Sequence, residues 1–431
     1  MENAKTRMIV LLVIFLTLLT ALPVSSQQLP PRASLDDLDY MIQFPPTGDK
    51  IVNISNYYKY PQMVWAFQHM REIARSKNIS RGAGPVYTLP VAERNLDDFV
   101  FEDDKGQKIT LAEWQKRTYT DALVVLHKGK LVYERYYHKG TAERPHLLYS
   151  VTKSFTGLLA SQLIQEGTLD PNALVPTYVP ELAASAWGDM KVQDVLDMTG
   201  AVKFREVYTD FTSDIFTYSF AMGSLQAPPN YAGPKTICDF LTSLEKGGEH
   251  GAGFVYRTIH SDVLGWIISR ITGKHFADLM SERIWQKLGM EKDAYILIDP
   301  VGTPWQGSGL CATARDLARF AEMVRRGGEL NGQRIFAKEA IDEVRKGADP
   351  EKFKASGMTF RPGYSYHNQW WVLHNADGAF EASGIFGQMI HINPGAEMVI
   401  VKLSSHPVPG AGFTHPLTLR AWEALAKAVR Q

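Results

Sequence analysis

The chain has 431 residues, 45% of them hydrophobic, with 46 basic side chains balanced by 46 acidic ones and two cysteines. This hydrophobic content excludes a disordered protein, and the balanced charge provides no basic field for nucleic acid or for an anionic membrane surface. Two cysteines can build neither a disulfide scaffold nor a four-cysteine metal site, so free thiols are the default expectation for Cys238 and Cys311.

The N-terminus has the pattern of a secretory signal peptide. Lys5 and Arg7 precede an apolar run over residues 8–22, which is shorter than the roughly 20 residues of a membrane span. We predict cleavage near Ser26, so that residues 1–26 are removed and the protein is exported, either to a periplasm or into the medium. The rival interpretation is an uncleaved membrane anchor. After cleavage, no stable membrane association is expected.

The predicted elements run from strands to helices and back to strands. Residues 27–118 are predicted to wrap the surface, and residues 121–127 and 131–137 predict a hairpin. A helix is predicted over 151–166, ending at Gly167. Later helices are predicted over 192–198, 237–244, 263–272, 276–288, 314–326 and about 416–430, and later strands over 369–374, 388–393 and 397–404.

This order predicts an α+β fold. The early hairpin and the late strands most simply form one antiparallel sheet flanked by helices, and the middle of the chain, about 165–345, forms a mainly helical lobe inserted between the strands. One domain over 119–431 would then follow the wrapping segment. A cleft between sheet and lobe is the expected place for a small-molecule site.

The sequence contains one of the common catalytic motifs. Gly-x-Ser-x-Gly, His-Glu-x-x-His and Cys-x-x-Cys are missing from the sequence, but Ser-x-x-Lys occurs as Ser150–Lys153 and again as Ser243–Lys246. The second match runs into a glycine pair that stops a helix, where a last-turn lysine is explained by the helix dipole. Ser150 instead precedes a strongly apolar helix, in which Lys153 would be desolvated on the same face and its pKa lowered toward that of a general base. The alternative is that Ser150 is an N-cap and Lys153 an exposed first-turn residue.

Two further segments can complete such a site. Tyr256 precedes another apolar helix, and its phenol could relay a proton if neighbouring cations lower its pKa. The segment from Ala382 to Gln388 leads into a late strand, and its glycines permit close approach of backbone to a ligand. Taken singly, such a tyrosine is more often a packed core residue, and the glycine segment is merely a turn.

In this order, the segments resemble the serine β-lactamase and penicillin-binding-protein superfamily. The resemblance is nearest to its branch of aminohexanoate-dimer (nylon-oligomer) hydrolase-like proteins and class C β-lactamase-related esterases. It extends from about Tyr60 to Pro407 and is carried by these segments: Ser150-Val-Thr-Lys-Ser-Phe155, Leu196-Asp-Met-Thr-Gly200, Tyr256 with Asp262-Val-Leu-Gly-Trp266, Gln369-Trp-Trp371 and Gly384-Ile-Phe-Gly-Gln388.

The resemblance implies a β-lactamase/transpeptidase-like fold and a set of residue roles. Ser150 would be the acylated nucleophile, Lys153 its base, and Tyr256 the proton relay and leaving-group acid. The backbone N–H groups of Ser150 and Ile385 would form the oxyanion hole. Three side chains would bind substrate: Tyr208 on a mobile loop at the scissile amide, Trp371 in the acyl pocket, and Phe386. For Tyr208 an ordinary loop position and for Trp371 a core position are the alternatives. No metal and no cofactor are implied.

The sequence also departs from the superfamily pattern. Tyr256-Arg257-Thr258 lacks the usual amide side chain, and Ala382-Ser383-Gly384 lacks the usual cation that helps to bind an antibiotic carboxylate. That absence argues against β-lactam turnover and cell-wall transpeptidation. Phe386 stands where the nylon-oligomer branch often has histidine, which leaves the substrate open.

The predicted function is therefore hydrolysis of a small carboxylic ester or linear amide through a Ser150 acyl-enzyme. One alternative is a D-amino-acid peptidase or weak β-lactamase on the same scaffold. Another is a catalytically silent binding protein, whose mark would be loss of the serine, lysine or tyrosine. The sequence leaves the oligomeric state open.

Overall fold

The structure is a computed structural model that describes residues 29–354 and 356–430. The predicted signal peptide lies outside the described residues. The chain divides into two units, Met1–Pro31 and Arg32–Gln431. Of the first, only residues 29–31 are described, and they contain neither helix nor strand. All elements below belong to the second unit.

Fifteen strands and twelve α-helices occur in the described residues. The strands are β1 (Ser76–Ile79), β2 (Val100–Glu102), β3 (Lys108–Thr110), β4 (Thr120–His127), β5 (Lys130–Tyr136), β6 (His146–Leu147), β7 (Ala294–Leu297), β8 (Leu310–Ala312), β9 (Glu329–Leu330), β10 (Gln333–Arg334), β11 (Ser365–His367), β12 (Trp370–Val372), β13 (Phe380–Gly384), β14 (Gln388–Asn393) and β15 (Met398–Ser404). The helices are α1 (Gln62–Ala66), α2 (Leu111–Arg117), α3 (Val151–Gln165), α4 (Val192–Leu196), α5 (Asp214–Met222), α6 (Ile237–Thr242), α7 (Ile259–Thr272), α8 (Phe276–Met280), α9 (Ala314–Arg325), α10 (Lys338–Lys346), α11 (Pro350–Lys354) and α12 (His415–Arg430).

The central sheet joins the two ends of the chain, as the sequence predicts. Its seven antiparallel strands have the order β11-β12-β13-β14-β15-β4-β5, so the early hairpin pairs with the last strand, Met398 opposite His127. Both faces of β4 are covered: Ala122, Val124 and Leu126 pack into the main core, and the intervening Leu123 and Val125 pack into a second core with α2 and α12. Burial on both faces explains why this strand is apolar throughout.

Helix α3 lies in the middle of the molecule. Twelve of its fifteen residues are buried, which matches its apolar composition on all sides. It packs against α7, α10 and strands β12–β14. Its first turn therefore emerges from a rigid core at the cleft between sheet and helices.

The middle of the chain is less uniformly helical than its sequence suggests. It contributes β7 and β8 to a second sheet of order β1-β7-β8-β6, which also uses Ser76–Ile79 of the N-terminal segment. Such runs of two to four residues are too short for periodicity to identify. Helix α7 also begins earlier than predicted, at Ile259, and α8 passes into a π-helical turn over Ser281–Trp285. Strand β13 was not among the predicted strands, although the glycine segment at its end was expected to lead into a late strand.

Both cysteines are free thiols, Cys311 fully buried and Cys238 partly so. In the part of the chain that the structure describes, we find no helix with the length and hydropathy needed to cross a membrane.

Candidate active site

Ser150 lies at the turn between β6 and α3. The backbone leaves the second sheet through Leu148, whose N–H donates to the Leu310 carbonyl at 2.9 Å. Tyr149 then adopts φ = 47°, a left-handed conformation that side chains other than glycine rarely take. This turn directs Ser150 into the cleft, where the residue is 7% exposed. A conformation of this kind is held only by a firm surrounding structure and is common at functional sites.

Lys153 follows one turn later and is 1% exposed. Its Nζ donates to the Ser150 Oγ at 2.9 Å and to the carbonyl oxygen of Gly307. Burial lowers the pKa of the Lys153 ammonium, and the charges of Glu206 and Asp262 oppose part of that effect. The site thus provides the desolvated amine that the sequence leads us to expect, in contact with the serine.

The Tyr256 side chain lies beside the same serine, since both residues line one cavity and their side chains interact. The Lys153 Nζ lies 5.3 Å from the centre of the Tyr256 ring. Burial, and secondarily Glu206, raise the pKa of this phenol, and Arg361 opposes them only in part. The sequence-based condition that cations lower the tyrosine pKa is therefore not met. The phenol is neutral, so it can pass on a proton only while accepting another.

Sequence reasoning missed a carboxylate beneath the lysine. Asp262, on α7 and 2% exposed, accepts the Gly307 N–H at 3.1 Å and the Tyr218 hydroxyl at 2.6 Å. Gly307 therefore links the two side chains through its backbone, with its N–H donating to Asp262 and its carbonyl oxygen accepting from Lys153. Burial raises the pKa of Asp262, whereas Tyr218 and Lys153 lower it. Asp262 belongs to a segment that carries the family resemblance, but nothing local indicates that it faces the lysine.

A second carboxylate holds the loop before α5. Glu206 accepts the Tyr208 hydroxyl at 2.6 Å, and it also accepts both the backbone N–H and the hydroxyl of Thr258 at 2.6 Å. Thr258 precedes α7 and follows Tyr256 by two residues. The loop is thus tied to the helix that positions Tyr256, and Tyr208 lies beside Ser150, where the sequence predicted it.

The end of β13 lies against the backbone of residues 148–150, the turn that carries the predicted nucleophile Ser150 (the nucleophile turn). A Cβ placed on Gly384 would come within 2.5 Å of the Leu148 carbonyl oxygen and 3.1 Å of the Ser150 nitrogen. Only a glycine fits this approach, which brings the next residue, Ile385, to the same cavities as Ser150. The following Phe386 has φ = 61° and turns the chain away. The two predicted oxyanion donors are therefore adjacent.

Strand β13 has no basic residue of its own, but an arginine from another segment lies beside it. Arg361, from the loop before β11, donates from Nη2 to the Ser383 hydroxyl at 2.9 Å and from Nη1 to Glu381 at 2.5 Å. Its guanidinium lies 4.1 Å from the centre of the Trp371 ring. Burial would raise the pKa of Glu381, but Arg361 and the neighbouring histidines lower it to about 2. No sequence signal links Arg361 to Ser383, because 21 intervening residues separate them.

The last two predicted residues lie on opposite sides of Ser150. Trp371 stacks on Tyr256, with ring centres 5.4 Å apart and planes at 19°. Phe386 packs against Tyr149, with ring centres 5.1 Å apart. Both side chains are nearly buried. They therefore do not share one wall of a pocket.

Two cavities open on the two sides of the serine. The larger, about 420 Å³, has Phe386 and tyrosines of the N-terminal segment in its wall. The smaller, about 200 Å³, contains Tyr256, Trp371, Arg361 and Glu206. Three residues line both cavities: Ser150, Tyr208 and Ile385. A serine that contacts a buried lysine and lies between two compartments is suited to acyl transfer, with one compartment for each half of a substrate.

Comparison with known proteins agrees with this geometry. The profile of the beta-lactamase family matches residues 94–421. A 6-aminohexanoate-dimer hydrolase of Paenarthrobacter ureafaciens is 34% identical over 372 residues, which cover 84% of this chain and 91% of that protein. A solved structure from Bacillus anthracis, described as a candidate 6-aminohexanoate-dimer hydrolase, is 32% identical with a TM-score of 0.82, covering 89% of this chain and 98% of that one.

A more distant structure shares the fold alone. A family VIII carboxylesterase is 17% identical with a TM-score of 0.52 and covers 73% of this chain and 95% of its own. The predicted α+β fold with its antiparallel sheet is thereby confirmed, as is the predicted family. The chain belongs to the beta-lactamase family and is a serine hydrolase related to 6-aminohexanoate-dimer hydrolase.

Proposed function

We propose that the protein hydrolyses a small carboxylic ester or linear amide through an acyl-enzyme on Ser150. One observation carries the proposal: the Nζ of a buried lysine is hydrogen-bonded to the Ser150 hydroxyl oxygen, and the neutral phenol of Tyr256 lies beside the same serine. The amine is suited to accept the hydroxyl proton because burial lowers the pKa of its conjugate acid.

Acylation then proceeds in two steps. The Ser150 Oγ bonds to the substrate carbonyl carbon as its proton passes to Lys153, directly or through Tyr256, and the carbonyl oxygen becomes an oxyanion. The N–H groups of Ser150 and Ile385 are the proposed donors to that oxyanion, each contributing about 10²–10³ in rate. The bond to the leaving alcohol or amine then breaks, and the proton reaches the leaving atom through the phenol.

Deacylation repeats these steps with water as the attacking group. The leaving product vacates its compartment and a water molecule takes its place, giving up a proton to the Tyr256 and Lys153 pair as it attacks the ester carbon. The carboxylic acid departs when the Ser150 Oγ takes the proton back. The groups that serve acylation therefore also serve hydrolysis, and the enzyme returns to its starting state.

Of the two substrate types, the relatives favour an amide, since the Paenarthrobacter ureafaciens protein is a 6-aminohexanoate-dimer hydrolase and an amide bond joins the units of such a dimer. Hydrolysis of p-nitrophenyl esters and matched p-nitroanilides, by the wild type and a folded Ser150→Ala variant, tests the proposal. We expect turnover by the wild type and silence of the variant. Equal activity of both proteins would refute Ser150 as the nucleophile, and silence of both, with no labelling by a fluorophosphonate, would favour a binding protein.

We further propose export, with residues 1–26 as the cleaved signal peptide. The support is the charged start and short apolar run of the sequence. N-terminal sequencing of protein recovered from outside the cytoplasm of an expression host tests this. A mature terminus near residue 27 supports export, and an intact Met1 in the membrane fraction would favour the anchor.

A further inference from the structure

The two cavities beside Ser150 differ in chemistry, and this difference bears on the substrate. We propose that the larger cavity is the acyl site and that it takes an uncharged, apolar or aromatic acyl group of roughly ten non-hydrogen atoms, in preference to an amino-acyl chain. The smaller cavity, which has the charged side chains Glu206 and Arg361 in its wall, takes the leaving group. This inference rests on the proposed function and specifies its substrate class.

The position of Tyr256 decides which half of the substrate enters which cavity. The phenol delivers a proton to the leaving atom, so the leaving group must lie beside it, and Tyr256 lines the smaller cavity but not the larger one. The acyl chain then points the other way, into the larger cavity. Trp371, expected from the sequence on the acyl side, belongs in this assignment to the leaving-group side.

The lining of the larger cavity is aromatic and aliphatic. Tyr57, Tyr58, Phe211, Ile215 and Met222 contribute to its wall, and its volume of about 420 Å³ corresponds to roughly fourteen groups of the size of a water molecule. An acyl chain of about ten atoms fits, with room for the scissile group. Burying it should raise kcat/KM by up to about fourfold for each methylene.

Charge separates this cavity from one built for an amino-acyl chain. Among the described residues that line it, Lys59 is the only charged one, and its side chain is exposed at the rim. An acyl chain ending in an ammonium would lose its hydration and meet no carboxylate, a combination that proteins avoid. The charged residues Glu206 and Arg361 lie instead in the smaller cavity.

Part of this wall lies outside the segment that the family profile matches. The profile begins at residue 94, whereas Tyr57, Tyr58, Lys59 and Tyr60 come from the preceding segment, which the sequence predicted to wrap the surface. Tyr57 is 6% exposed, and its side chain interacts with that of Ser224, which lines the same cavity. The N-terminal segment thus closes the acyl site and helps to set its chemistry.

An isosteric pair of substrates tests the proposal directly. The p-nitrophenyl esters of heptanoic acid and of 6-aminohexanoic acid differ at the chain end by a methyl group against an ammonium. We expect kcat/KM of the wild type to be at least 30-fold higher for heptanoate, and to rise at least tenfold from acetate to octanoate. A ratio near one, or a preference for the amino ester, would overturn the proposal.

Two variants locate the effect. Tyr58→Ala removes part of the wall and should lower the octanoate-to-acetate ratio of kcat/KM at least fivefold. Tyr178→Ala, a partly buried tyrosine packed on the same core but outside both cavities, should leave that ratio unchanged. If Tyr58→Ala does not fold, Ser219→Phe, which fills the cavity from α5, should lower the same ratio. An unchanged ratio in the folded variants would place the chain elsewhere.

Failure of this inference is distinguishable from failure of the proposed function. Acetate hydrolysis that is lost in Ser150→Ala but shows no dependence on acyl length would leave the serine mechanism intact and refute the acyl site. Hydrolysis that survives Ser150→Ala would refute the mechanism itself.

Discussion

Replacement of Gly384 by alanine should disturb the contact that positions the proposed oxyanion hole while leaving the Ser150 side chain in place. The new methyl group would lie 2.5 Å from the Leu148 carbonyl oxygen and 3.1 Å from the Ser150 nitrogen. Non-bonded heavy atoms prefer about 3.5–4.0 Å, so β13 and the nucleophile turn must separate by about 1 Å. Both contacts are with backbone, which cannot move aside as a flexible side chain would.

The magnitude follows from what that separation does to the donors. Loss of one oxyanion donor lowers kcat by about 10²–10³, and a misplacement of about 1 Å can by itself lower the rate about 10²-fold. We therefore expect kcat of Gly384→Ala to fall by about 10²–10³. Overpacking should also lower the free energy of unfolding by about 1–3 kcal/mol, which leaves a protein of this size folded at 25 °C.

The assay is hydrolysis of a short p-nitrophenyl ester, normalised to the concentration of serine that a fluorophosphonate titrates, with urea denaturation for stability. Gly84→Ala is the matched control, because a Cβ there meets no atom of the described residues within 4 Å. Retention of kcat within fivefold in a folded Gly384→Ala protein would refute the role of this contact. An equal loss in the control would show that the effect is not specific.

Three further predictions concern the charges of the site. Lys153→Ala and Tyr256→Phe should each lower kcat by at least 10², measured on the same ester, and near-normal turnover in either would refute its assigned role. Because Lys153 must be neutral to act as a base, kcat/KM of the wild type should rise with pH through a lysine pKa below 10.5. Asp262→Asn should move this rising limb of the pH profile to lower pH, since the Asp262 carboxylate raises the lysine pKa. If the limb does not move, Asp262 has a purely structural role. Arg361→Met should lower the free energy of unfolding at pH 7 by about 3–5 kcal/mol, because Glu381 is left buried without its guanidinium partner. The double variant Arg361→Met with Glu381→Gln should recover most of this lost stability, as measured by urea denaturation. An equal loss of stability in the single and the double variant would contradict the pairing.

The prediction of strands from local pattern succeeded where the pattern was long. Residues 388–393 form a strand with the predicted ends. Three of the four predicted boundaries of the β4–β5 hairpin differ from the observed boundaries by one residue, and the fourth agrees. Strands β7 and β8 escaped because three or four buried residues in succession look alike in a strand and in a helix. They matter, since β8 pairs with β6 and so holds the start of the nucleophile turn.

The candidate site likewise contains residues that a local pattern predicts and residues that it does not. Ser150 and Lys153 are three residues apart on one helix, so their contact follows from helical geometry once the helix is predicted. Tyr256, Tyr208 and Ile385 were placed through the family resemblance, and the structure brings each of them to the serine. The roles proposed for them remain predictions.

By itself, the sequence determined the helix that carries the serine and lysine, the hairpin and late strands of the sheet, and the family. These depend on periodicity and on motif spacing, which are local properties of the chain. The tertiary structure alone decided that Asp262 and Glu206 face Lys153, that Arg361 places a cation beside β13, and that the larger cavity has mainly apolar walls. A pKa, an ion pair and a cavity depend on which distant groups exclude water from one another, and that is settled only when the whole chain has packed.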